Sequence, residues 1–191
     1  DHPELFIDTG GEILYLNLAL QGAQDLAVGA AEGILARTGA RWFRWEMGMG
    51  PLASWGQMRA PRFMFAYEAG LNAVLDRLLA AHPDLCIELC AEGGNRIDLA
   101  TLKRGHTCWF SDACEGRETV RTMQCGANRF LPGNFANGAL PVPAAHTLIG
   151  FQPKPADPAR RCDPADADVV ARMCGGLQFG GDIARMSAAA A

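Results

Sequence analysis

No two of the seven cysteines, Cys86, Cys90, Cys108, Cys114, Cys125, Cys162 and Cys174, stand in a C-x-x-C pair, and their number is odd. This argues against a closed disulfide framework and against a zinc ribbon, and reduced thiols are expected. No uninterrupted apolar run approaches the ~20 residues that cross a bilayer. Nor does a basic stretch followed by an apolar one open the chain. A soluble protein with no membrane partner is therefore expected, with the cytoplasm favoured as its compartment. An excess of positive charge is lacking too: Lys and Arg total 17 against 21 Asp and Glu, a net charge of -4. Nothing here favours a nucleic acid or an acidic lipid surface, and a neutral or polar small ligand fits better. Internal repeats are absent, and the one low-complexity stretch is the Ala tail. Because the chain opens on Asp1 and closes on SAAAA, it is expected to be a segment of a longer one.

What the chain does have is apolar material, 49% of its 191 residues, with 20% charged, enough for one substantial core in a single domain spanning residues 1–191. Ile13 to Leu20 reads as a strand. Ala23 to Arg37 follows with Leu26, Ala27, Ala30, Ile34 and Leu35 at helical spacing, and Gly39 ends it. Arg41 to Met47 (RWFRWEM) reads as a second strand, tipped by Trp45 and Glu46. After a loop from Gly48 to Arg62, residues Tyr67, Gly70, Leu71, Val74, Leu75, Leu78 and Leu79 share one helical face, which must end near His82 because Pro83 follows. Then come a strand over Leu85 to Cys90, a short helix over Leu99 to Lys103, a strand over Thr107 to Ser111 and a helix over Glu118 to Ala127. Beyond Pro132 a Gly/Pro/Asn-rich connection leads to a helix over Ala165 to Met173 and a last strand over Gly175 to Phe179.

Strand and helix alternate with short connections, which calls for a parallel sheet covered by helices. Polar residues gather just after each strand, where a (β/α)8 barrel or an open doubly wound sheet keeps its ligand site. About five or six strands are visible, whereas a full barrel has eight and typically ~250 residues. The expected fold is α/β of the (β/α)8 TIM-barrel type, incomplete, comprising about its C-terminal two-thirds. Such a piece leaves a sheet edge bare, so association with further copies or with other domains of the same chain is expected.

Glu46 and Asp112 each stand at a strand tip. Two carboxylates so placed can face each other across the mouth of a parallel sheet, as a nucleophile and a general acid/base require. An acid after a strand also serves as a helix cap. Trp42, Trp45, Trp55 and Trp109 lie in the same segments, where indole faces suit sugar rings and equally suit a core. Arg44 and Arg96 can donate to hydroxyls and Asp98 can accept from them, while an Arg96–Asp98 salt bridge explains that pair as cheaply. Gly93 and Gly94 allow a ligand close to the backbone, or simply a tight turn. A thiol nucleophile, Cys90 or Cys114 with His106 as base, has no local motif behind it.

Four blocks then carry a resemblance: WFRWEMG at Trp42 to Gly48, GPLASW at Gly50 to Trp55, CAEGGNRIDL at Cys90 to Leu99 and WFSDACE at Trp109 to Glu115. In this order they resemble the catalytic barrel of the α-galactosidases of glycoside hydrolase family 36. LNLALQGA at Leu16 to Ala23 is a weaker match. The resemblance implies a retaining glycoside hydrolase acting on α-galactosides, with Glu46 as nucleophile and Asp112 as acid/base. It further implies a sugar subsite built from Arg44, Trp45, Trp55, Cys90, Gly93, Arg96, Asp98 and Trp109, an oligosaccharide or glycoside as partner, and no metal or organic cofactor. Position 46 departs from the family, which has Asp there. A catalytically silent carbohydrate-binding relative is the alternative.

Overall fold

A computed structural model describes residues 2–8, 14–46, 61–111, 122–123, 125–141 and 176–180. The chain forms two compact units, one from Asp1–Ala91 with Asn95–His106, the other from Glu92–Gly94 with Thr107–Ala191.

In the first unit, β1 (Phe6–Asp8) and β2 (Leu14–Leu16) pair antiparallel as a separate small sheet, Phe6 opposite Leu16 and Ile7 opposite Tyr15. The expected strand from Ile13 to Leu20 therefore stops at Leu16. Asn17 is the reason. Its Oδ1 accepts from the Ala19 N–H at 3.3 Å and its carbonyl from the Leu20 N–H at 2.9 Å, so the side chain that favours turning turns the chain here.

Helix α1 (Gln21–Thr38) buries Ala23, Ala27, Val28, Ala31 and Leu35. Gly39 closes it in the left-handed region, φ 66°, donating to the Leu35 carbonyl at 2.8 Å, a conformation that favours glycine. Helix α2 (Pro61–Ala81) begins one residue before the end of the expected loop. It buries Leu71, Val74, Leu75 and Leu78, the face that the apolar spacing marks. Gly70 lies against the Leu18 carbonyl, which accepts from Gln24 Nε2 at 2.9 Å; a Cβ on Gly70 would stand 1.7 Å from that oxygen. Ion pairs join α2 to its surroundings. Arg77 binds Asp25 of α1 at 2.7 Å, and Arg104 makes two 2.7 Å bonds to the Asp76 carboxylate.

Strands β3 (Trp42–Glu46) and β4 (Cys86–Cys90) are parallel, with Trp42 opposite Cys86 and Glu46 opposite Cys90. Short helix α3 (Leu99–Leu102) follows β4. Gly105 sits against Leu89, whose Cδ1 would be 2.3 Å from an added Cβ.

The second unit holds β5 (Thr107–Trp109), β6 (Ala136–Pro141) and β7 (Gly176–Gly180), parallel in that order. Cys108 faces Ala136, and Asn137 faces Gly176. Trp109 is fully buried. Strand β7 falls one residue beyond its expected start. Strand β6 is a correction, since its sequence, ANGALP, reads as part of a Gly/Pro/Asn-rich connection. Pairing with β5 on one side and β7 on the other supplies its ladder, and such a context outweighs weak intrinsic preference. Of the helix expected over Glu118 to Ala127, residues 122–123 and 125–127 are described and helical. The loop residues 47–60 and the helix expected over Ala165 to Met173 lie outside the described residues.

Candidate active site

Side chains alternate along a strand. On β3 this puts Trp42, Arg44 and Glu46 on one face and the rings of Phe43 and Trp45 on the other, 5.8 Å apart. The register brings Glu88 and Cys90 of β4 to the first face. There Trp42 Nε1 donates to Glu88 Oε2 at 3.0 Å, and Arg44 Nη2 donates to Cys90 Sγ at 3.0 Å. Glu88 and Cys90 are buried, whereas Glu46 ends the strand exposed. Three expected site residues, Arg44, Glu46 and Cys90, thus share a face at the carboxyl ends of two parallel strands. Trp45 lies on the opposite one.

The segment after β4 turns sharply. Glu92 and Gly93 are both left-handed, φ 49° and 85°, and the Gly94 N–H donates to the Phe110 carbonyl at 3.1 Å. Gly93 is thus at a position where the backbone favours glycine, and Glu92 adopts it at some cost in strain. Asn95 Nδ2 returns to the Ala91 carbonyl at 3.0 Å.

Arg96 is not paired with Asp98. Its side chain is 5% exposed, its Nη1 donates to Glu68 of α2, and its guanidinium lies 5.8 Å over the Tyr67 ring. Asp98 instead caps α3, accepting from the Ala100 N–H at 2.8 Å, the Thr101 N–H at 3.0 Å and the Thr101 hydroxyl at 2.7 Å. Partial burial pushes the Asp98 carboxyl up, but these three bonds and the Arg96 charge together hold it below the usual carboxylate range. Burial raises the Tyr67 hydroxyl above its ordinary value, against the pull of the Arg96 charge. The phenol therefore stays neutral beneath the cation.

His106 Nδ1 accepts from the Ile87 N–H at 3.1 Å, so the ring finishes the edge of β4, while Cys114 lies outside the described residues. Cys86, Cys90, Cys108 and Cys125 carry thiols. Among the described residues no three His, Cys, Asp or Glu side chains group closely enough to hold a metal ion, and no helix is long and apolar enough to cross a membrane. Gly93 and Trp109 are buried in the second unit. Asp112 and Trp55 lie outside the described residues.

Sequence reasoning missed Glu68, Tyr67 and Glu88. The period of two from Cys90 places Glu88 on the same face and was signal enough. Nothing local links Glu68 to Arg96, 28 positions later.

The melibiase family model matches residues 7–148. Over 141 residues the chain is 28% identical to probable α-galactosidase G of Aspergillus terreus, covering 70% of this chain and 19% of that protein. Over 124 residues it is 31% identical to an α-galactosidase of Escherichia coli, covering 65% and 17%. Among solved structures, the galactosidase domain of an α-galactosidase–sucrose kinase superimposes with a TM-score of 0.75 at 20% identity, over 98% of this chain and 25% of that one. A variant of a family 36 α-galactosidase of Geobacillus stearothermophilus, in complex with stachyose, gives 0.72 at 18% identity, over 98% and 26%. The chain thus spans roughly a fifth of the curated relatives' length and a quarter of the solved chains. The backbone likeness shows the fold, part of a (β/α)8-type barrel, as the order of strands and helices leads one to expect. With well over half of its residues matched by the family model, the chain belongs to the melibiase family, the α-galactosidase-like glycoside hydrolases.

Proposed function

We propose that the protein is a retaining glycoside hydrolase of α-galactosides, with Glu46 as nucleophile and Asp112 as acid/base, residues 1–191 acting as part of one catalytic domain. The observation that carries this reading is the exposed Glu46 carboxylate at the end of β3, on the face it shares with Arg44 and Cys90. Family membership supports the substrate class, as do relatives held in complex with stachyose and raffinose.

In this mechanism a Glu46 oxygen attacks the anomeric carbon while Asp112 gives its proton to the leaving oxygen, which needs carboxyls roughly 5 to 5.5 Å apart. A covalent glycosyl–enzyme forms and the aglycone departs. Asp112, now a base, takes a proton from water, whose oxygen displaces Glu46 and releases the sugar with its configuration retained. Arg44, Cys90, Gly93, Arg96 and Asp98 form the subsite, together with Trp55. The chemistry draws on side chains alone.

The test is hydrolysis of an aryl α-galactoside by the intact protein. Glu46→Gln and Asp112→Asn should each lower kcat by about a thousandfold or more. Unchanged turnover in either variant refutes the assignment.

Glu in place of the family's Asp favours a second reading, a carbohydrate-binding relative without turnover. The added methylene shifts the carboxylate, and a ~1 Å misplacement of a reacting group costs about 100-fold. Galactose binding by calorimetry with no hydrolysis would establish it.

A further inference from the structure

Arg96 is the most deeply buried cation of the described ion pairs, its side chain 5% exposed. Burying a guanidinium is tolerable only where a counter-charge and good geometry meet it. Both come from α2, not from the turn that carries Arg96. Glu68 accepts from Nη1, and the Arg96 Cζ stands over the ring of Tyr67, 7% exposed, at 5.8 Å from its centroid, within the range of a cation–π contact. A guanidinium is planar, with its donors in a fixed fork. A carboxylate held on one nitrogen and a ring within reach of the cation therefore restrict the directions open to the other donors. The long side chain on a sharply turned segment would otherwise sample many rotamers.

We propose that Glu68 is a positioning residue of the sugar site: from the first half of α2, through Arg96 Nη1 and with Tyr67 beneath, it sets the orientation in which Arg96 meets the hydroxyls of an α-galactoside. This rests on the reading of Arg96 as a sugar ligand. The pair spans from the helix layer to the turn after a strand, the place where ligand sites of parallel α/β barrels lie. The Glu68 side chain is 35% exposed, and Glu68→Gln keeps an oxygen able to accept from Nη1 while removing the counter-charge of the buried guanidinium, so unfolding midpoints are measured beside binding.

The experiment measures kcat and KM for an aryl α-galactoside, and galactose affinity by calorimetry, on the intact protein and on Glu68→Gln, Glu68→Asp, Arg96→Lys and the Glu68→Gln/Arg96→Lys double variant. Glu68→Gln should raise KM and weaken galactose binding on the order of tenfold. Glu68→Asp should recover part of that loss. The double variant should bind no worse than Arg96→Lys alone, because the two act as one unit. A wild-type KM in Glu68→Gln beside a raised KM in Arg96→Lys overturns the positioning role and leaves the sugar reading standing. Full additivity in the double variant also overturns it. A wild-type KM in Arg96→Lys overturns the sugar reading, and the proposal with it. A purely structural role would lower the unfolding midpoint while leaving galactose affinity unmoved, which counts against the proposal.

Discussion

Replacing Gly70 by alanine should destabilise the protein, although alanine is the better helix former. The ideal Cβ stands 1.7 Å from the Leu18 carbonyl oxygen, 2.7 Å from its carbon and 2.9 Å from Gln24 Nε2. A separation below 3.0 Å is not sustained, so α2 and the segment before α1 must part by over 1 Å. Leu18 is buried at 4% exposure and its carbonyl already holds Gln24, so neither side has a flexible end to give. Overpacking of this kind costs ~1–3 kcal/mol, and loss of the Gln24 bond adds ~1 kcal/mol. Against this, alanine contributes ~1 kcal/mol of helix propensity. The net is a destabilisation of about 2 kcal/mol, or roughly a 4–8 °C fall in Tm for a chain of this size. Gly29 in α1 is the control, with no atom within 4 Å of its added Cβ. There the propensity gain stands alone, and Gly29→Ala should raise Tm by roughly 2–4 °C. Thermal unfolding of both variants beside the parent, followed by tryptophan fluorescence, decides it. A Gly70→Ala protein as stable as the parent would refute the close packing of α2 on the Leu18 carbonyl.

If the longer carboxylate at position 46 is matched to its surroundings, Glu46→Asp should lower kcat by about 100-fold; a rise in turnover would point instead to the silent-relative reading. Asp98→Ala removes the cap of α3 and should cost ~1 kcal/mol of stability, with Asp98→Asn closer to the parent, both read from Tm. The unfolding midpoint should also fall as pH drops below about 4. Hydrogen bonds from Arg104 hold Asp76 below its usual range, those from Arg77 and Gln21 do the same for Asp25, and the cap does so for Asp98. A folded-state value below the unfolded one gives stability that is complete above the unfolded value and drains away as pH falls through the folded one. Asp76→Asn should flatten that decline, and an unaltered profile would remove Asp76 from the account.

Much of this architecture was legible because the apolar spacing was unambiguous. Leu71, Val74, Leu75 and Leu78 have the period of a helix with one buried face, and Gly39 and Pro83 mark where α1 and α2 must finish. The misreadings have physical causes. From Leu14 to Leu20 apolar residues outweigh one asparagine, yet Asn17 bonds its own neighbours and breaks the strand. ANGALP holds little that favours a strand, and it is extended because β5 and β7 flank it. At the site, strand alternation sufficed to group Arg44, Glu46 and Cys90. It equally sets Trp45 on the other face, where an inventory of aromatic residues near a strand tip does not distinguish sides. The partner of Arg96 was beyond reach, because an acid two residues away competes with one on a distant helix and only three dimensions choose between them.

Helix α2 carries three of these charged tethers, to Asp25, to Arg104 and to Arg96. They differ in how far water and ions reach them. In about 1 M salt the screening length shrinks to ~3 Å, which weakens the first two, where both partners or the acid stand well in solvent, and weakens the third less, because its cation is largely buried. Concentrated salt should therefore loosen the grip of α2 on α1 and on Arg104 while Arg96 stays fastened to Glu68. The protein thus carries its own means of separating scaffold slackness from site geometry, without a single substitution.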